Sequence, residues 1–166
     1  MADKPERTVT IRQPVVITAI VTEQLRQEVS AELQEAADEI DKRLQQVEFA
    51  AKRVLSELQV RGDIQQVMAA RQQIDREKQR YVDAKEELLR RRDEVAALED
   101  GDEVVRNTTE APVDVKVGDN IKQILRGVEI VVKDDEVIEI RDLAADETRP
   151  IVTATVPGQP VLQGDD

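Results

Sequence analysis

The sequence predicts an α+β fold: a long antiparallel two-helix coiled-coil hairpin inserted after the first strand of a small, mostly antiparallel β domain. Three observations carry this expectation. Residues 8–22, TVTIRQPVVITAIVT, alternate with a period of two. From Thr22 to Leu98 apolar residues recur at spacings of three and four, and Gly62 is the only glycine before Asp100. After Glu103 the period of two returns. The resulting boundaries are 8–21 and 103–142 for the β domain, 22–99 for the hairpin with its turn near Gly62, and 143–166 for a Pro-rich acidic tail that reads as an edge strand or as disordered.

In the first element Val9, Ile11, Val15, Ile17, Ala19 and Val21 share one parity, and Thr8, Thr10, Arg12, Pro14 and Thr18 the other. That is a half-buried strand. Pro14 cannot donate a ladder hydrogen bond, so it points to an edge position or a bulge.

The first helix follows the stripe Leu25, Val29, Leu33, Ala36, Ile40, Leu44, Val47, Ala51, Val54 and Leu58. Gly62 closes it, and Asp63 is placed to cap the next helix, which runs to about Leu98. Each run of roughly 37 residues is on the order of 55 Å long. In the second helix Val67, Ile74, Tyr81, Leu88 and Val95 recur every seven residues. The companion row is Arg71, Lys78, Lys85 and Arg92. Folding about Gly62 pairs residues whose numbers sum to about 122, which sets these basic stems over Ala51, Leu44, Ala36 and Val29. Their charged heads then reach the acids of the first helix, which fixes register more than it adds stability. A second apolar line, Met68, Val82, Leu89 and Ala96, interrupted by Asp75, is more than a two-helix seam needs and is the basis for expecting a homo-oligomer.

Beyond Glu103, Val113, Val115 and Val117 alternate with polar residues, and Asn120 to Arg126 reads as one or two helical turns. Val128, Ile130 and Val132, then Ile138 and Ile140, flank Asp134-Asp135 as a β-hairpin with a polar turn.

Composition narrows the chemistry. Of 166 residues none is Cys or His, which removes disulfides, thiolate metal sites and every Ser-His or Cys-His arrangement. Ser56 with Lys52 one turn earlier is formally a Ser/Lys pair, but an exposed helix face supplies no oxyanion donors. No phosphate-cradling glycine loop exists. The carboxylates at Asp134-Asp135-Glu136 and at Asp119 read as solvated turns. No enzyme, cofactor or metal is therefore expected. The net charge of −12 is uneven: residues 100–166 hold 16 acids and 7 bases, leaving 20 acids and 17 bases for residues 1–99. An acidic β part repels nucleic acid and anionic lipid. The run VVITAIV is too short for a membrane span and lacks a clean basic flank, so a buried strand and a cytoplasmic location are expected.

The succession VVITAIVTEQLRQEV, QQVEFAAKRVLSEL, VDVKVGDNI and VEIVVKDDEVIEIRD, over about residues 9–142, resembles the bacterial YlqD family. The resemblance implies a small bacterial protein of unknown function, with gene neighbourhoods of some relatives hinting at ribosome or RNA maturation, and it carries over no functional residues. The acidic link Glu99 to Glu103 and the Pro-rich tail after Asp142 depart from the pattern.

Three function classes follow. The leading expectation is a non-catalytic oligomerising coiled-coil scaffold or protein-interaction module, with Val60, Ile64, Met68, Val82, Leu89, Arg90, Arg91 and Arg92 as partner-contact residues. The second is a holdase chaperone resembling prefoldin, gripping clients through the apolar turn at Val60, Ile64 and Met68. The third is RNA association through Arg76, Arg80, Arg90, Arg91 and Arg92, although three consecutive arginines on a helix point in three directions.

Overall fold

A computed structural model describes residues 7–143 and 150–154. It contains β1 (Thr8–Ile20), α1 (Glu23–Arg61), α2 (Ile64–Ala96), β2 (Glu103–Lys116), α3 (Ile121–Arg126), β3 (Val128–Lys133) and β4 (Glu136–Asp142). The described residues divide into two compact units, one built on residues 7–27 together with 98–143 and 150–153, the other on residues 28–97.

The first unit is a four-stranded mixed sheet in the order β2-β1-β3-β4. β1 pairs antiparallel with β2 from Thr8↔Lys116 to Ile20↔Glu103 and parallel with β3 from Val15↔Val128 to Ala19↔Val132. β1 is thus an inner strand only from Val15 onward. Pro14 sits one residue before the parallel ladder begins, where its missing N–H costs no bond on the β3 side. The bulge lies elsewhere: between Ile17 and Thr18 the register shifts because β2 carries Arg106 as an extra residue. β2 is longer than the Val113–Val117 alternation indicates.

Gly127 follows α3 with φ +92°, and a Cβ there would come within 2.2 Å of the Pro14 carbonyl oxygen. Only glycine fits this crossing. Asn120 caps α3 through Lys122 N and Gln123 N. The β3–β4 hairpin closes through Asp134 and Asp135, both at positive φ (47° and 66°), as a two-residue turn of the mirror-image type requires. Beyond the sheet, Ile151 forms a single parallel bridge to Val105, with Val105 N donating to Pro150 O and Val152 N to Val105 O. Of the tail expected to be an edge strand or disordered, 144–149 and 155–166 lie outside the described residues.

The chain's exit and return within this unit are tied together. Val21 N donates to Asp102 O at 2.8 Å and Gly101 N to Val21 O at 2.9 Å. Thr22 caps α1 by accepting from Leu25 N, while its hydroxyl donates to Asp134 at 2.5 Å. Arg26 donates to Leu98 O and ion-pairs with Asp100 and Glu23. Those carboxylates raise its pKa, Glu23 contributing most.

The second unit is the helical hairpin, and the turn is as the sequence indicates. Arg61 ends α1, Gly62 takes φ +75°, and the Asp63 carboxylate accepts from Gln66 N at 3.1 Å. At the open end of the hairpin, Val29, Leu33, Ala37, Ile40, Leu88 and Val95 are buried. Lys85 pairs with Asp41 at 2.7 Å, Lys78 with Glu48 at 3.0 Å, and Arg92 donates to Gln34. The numbers of each pair sum to about 126, one helical turn beyond the expected register. Two causes act together. The turn centres between Gly62 and Asp63 rather than on Gly62, and helical side chains lean toward their own N-terminus, which in α2 is the turn.

Candidate partner-contact surface

The apolar residues singled out at the turn are exposed. Val60 is 89%, Ile64 75% and Met68 60% accessible. Val60 lies in the last turn of α1 and Ile64 opens α2, so the two lie on either side of Gly62. Phe49, the only phenylalanine, is 75% exposed. It lies about three turns before Val60 on the same face of α1 and about 160° or more from the seam residues Val47 and Ala51. Sequence reading missed it because the stripe passes on either side of it; the signal was a large ring at an off-stripe position. Val54 is exposed as well. Val82 and Leu89 are half-buried within the single hairpin.

The charge around these residues favours one sign. Residues 49–71 carry Lys52, Arg53, Arg61 and Arg71 against Glu57 and Asp63, in a chain of net charge −12. Asp63 is occupied as a cap and Glu57 pairs with Arg53 at 3.4 Å. Ser56 donates its hydroxyl to the Lys52 carbonyl at 2.8 Å.

The arginine triplet is engaged along its own helix. Arg90 pairs with Glu87 and Glu94, Arg91 with Glu87, and Arg92 with Asp93 as well as Gln34. Hydrogen bonds from Arg90 first and Arg91 second hold the Glu87 carboxyl below its ordinary value. The three positive charges are thus locally balanced.

The sheet unit contains a polar cluster that sequence reading missed. Glu129, only 2% exposed, accepts from the Thr18 hydroxyl at 2.5 Å and from Arg141 Nε at 2.7 Å. Arg141 Nη2 donates to Glu103 at 2.7 Å. These four residues come from all four strands, β2, β1, β3 and β4. The carboxylates raise the Arg141 pKa, Glu129 most and Glu103 next. Every buried side-chain nitrogen and oxygen among the described residues has a partner. The cluster therefore joins strands. A second polar feature, an open depression of about 340 Å³ beside α3, is lined by Asp114, Asp119, Asn120 and Asp142, among others. Asp114 accepts from Thr10, Asp119 from Lys116 N and Asp142 from Gln123. Among the described residues no group of three or more acids is arranged to hold a metal ion. Among the same residues no helix is long and apolar enough to cross a membrane.

The sequence matches the YlqD protein family over residues 9–141, from Val9 in β1 to Arg141 in β4. The chain belongs to this family. The YlqD match thus spans both units and carries no assigned activity. The chain is also similar to a protein of unknown function from Synechococcus sp. WH 8102, whose crystal structure aligns with a TM-score of 0.68 at 27% identity. That alignment covers 82% of this chain and 96% of the cyanobacterial one. No curated protein matches the chain.

Proposed function

We propose that this YlqD-family protein is a non-catalytic protein-interaction module whose coiled-coil hairpin receives a protein partner at its turn end. One observation carries the reading: Phe49, Val60, Ile64 and Met68 are exposed in a helix pair whose open end buries its apolar residues. Large side chains held in water gain nothing for folding and gain about 1.5–3 kcal/mol each when a partner covers them. The excess of Lys52, Arg53, Arg61 and Arg71 selects a partner with acidic residues flanking an apolar segment.

Affinity capture from native cells tests this, comparing wild type with a Val60→Ser, Ile64→Ser, Met68→Ser variant of unchanged helicity. The expected result is a defined protein retained by wild type and lost by the variant. Identical captures by both would remove the turn end from the reading.

The exposed Phe49 favours one second reading, a holdase that accepts many unfolded clients. Suppression of aggregation of a heated client, lost with Phe49→Ser and Val60→Ser, separates it from a single-partner module. Nucleic-acid association is less well supported, because Arg90, Arg91 and Arg92 are neutralised along α2. A salt-sensitive mobility shift with ribosomal RNA would revive it.

A further inference from the structure

The sheet has two edges, and they are treated differently. Along β2, Val105 is engaged by the Pro150 carbonyl and the Val152 amide, Pro112 offers no N–H, and Thr108, Thr109 and Glu110 make the exposed stretch polar. These are recognised devices against strand addition. Along β4 no strand or bridge lies outside among the described residues. Val137, Ile138 and Ile140 are exposed there, Ile140 at 67%. A seven-residue edge with three exposed apolar side chains is a template for another strand.

We infer that β4 pairs antiparallel with β4 of a second copy of this chain about a two-fold axis at Ile140, joining two four-stranded sheets into one of eight strands. The register follows from charge. A two-fold axis perpendicular to a sheet pairs residues of the same parity, so it must pass through a residue. Centred on Glu139 it sets Glu139 against itself and Glu136 against Asp142, both like-charged. Centred on Arg141 it sets two arginines together, and centred on Ile138 it sets Glu139 against Val137 and Glu136 against Ile140. Centred on Ile140 it sets Ile140 against its own copy and Glu139 opposite the partner's Arg141 on both sides, with Ile138 opposite Asp142, so it opposes no like charges and forms two opposite-charge pairs.

Arg141 has donor capacity for that contact. Its Nε and Nη2 are held by Glu129 and Glu103, while Nη1 lies 3.6 Å from its own Glu139, longer than a hydrogen bond. The β3–β4 register shifts between Val131 and Val132, with Ile138 as the extra residue, so the regular part of β4 begins at Glu139. Pairing is confined to the segment that follows the bulge, which predicts a reversible dimer. The inference stands on β4 and is independent of the hairpin surface.

The chain has no cysteine, so single-cysteine variants of the full-length protein report distance without interference. Residues directly opposed in an antiparallel pair bring their Cβ atoms to about 4.5–5.5 Å. Ile140→Cys is expected to form a disulfide dimer under mild oxidation, with Ile138→Cys and Val60→Cys remaining largely monomeric. In sedimentation equilibrium Glu139→Arg, an exposed change, is expected to weaken wild-type dimerisation at least tenfold. A wild-type monomer at several hundred micromolar would overturn the inference. So would cross-linking through Val60→Cys in place of Ile140→Cys, which would move the copy–copy contact to the hairpin turn and leave β4 unpaired.

Discussion

The open end and the turn end of the helical hairpin have similar sequence periodicity and opposite surfaces. At the open end, α1 places Val29, Leu33, Ala37 and Ile40 on one stripe and α2 answers with Leu88 and Val95, all buried. Toward the turn Leu44, Val47 and Leu58 of the expected stripe are half-buried and only Ala51 is buried, while Val54 is exposed and its neighbour Leu55 is half-buried in its place. Large apolar residues there leave the stripe instead: Phe49, Val60 and Met68 occupy outer faces. A seam of the same spacing thus holds the helices together at one end and leaves apolar surface unused at the other. Periodicity reports that a helix pair forms; the size and face of each residue decide where its stability lies.

The contrast can be broken most forcefully at Leu33 or Leu88, each only 0–1% exposed. Leu33→Ala or Leu88→Ala is expected to cost about 2–5 kcal/mol, read from urea unfolding followed by circular dichroism. A loss below 1 kcal/mol would mean the open end is not where the hairpin is held. The next effect belongs to the turn. Asp63→Ala removes the cap on Gln66 N and is expected to cost about 0.5–2 kcal/mol. Hydrogen exchange should localise that loss to the amides around residues 58–70, with those near Leu33 and Leu88 unchanged.

Acid should act on the open end. Glu87 is held below its ordinary value of 4.5 by Arg90 and then Arg91. A depressed carboxyl contributes stability that is present above the unfolded value and lost as pH falls through the lower folded one. Wild type and Glu87→Gln should therefore differ in melting temperature at neutral pH and converge on acidification below 4.5. The smallest effect is expected at the turn's outer face. Val60→Ser and Phe49→Ser should change stability by no more than about 0.5 kcal/mol. A large loss there would mean these residues serve the fold and are no reserve for a partner.

Much of this architecture is legible in the residues. The change of period at Thr22, the single Gly62 followed by Asp63, and the Asp134-Asp135 turn each correspond to a local physical requirement, and each is met where the sequence places it. What was not legible depends on long-range pairing. The hairpin register moved by a turn because side-chain lean is not visible in numbering. Thr18 and Glu129 read as solvent-side residues of alternating strands, yet both are buried, since β1 gains β3 on its second flank and Arg141 reaches across from β4. The exposed turn surface was half legible: Val60, Ile64 and Met68 adjoin a glycine turn, whereas Phe49 is identified only by its accessibility.

The parallel pairing of β1 with β3, beside its antiparallel pairing with β2, has a consequence during synthesis. β1 leaves the ribosome first, but its β2 partners lie roughly 80–110 residues further along, and β3 later still. At about 5–20 residues per second the nascent VVITAIV segment waits several seconds with both flanks unpaired. The helical hairpin, whose contacts are nearer in sequence, can form during that interval. Final closure of the sheet is then a late, slow event, and a chain cut short before Val128 would leave its most apolar strand open on one side.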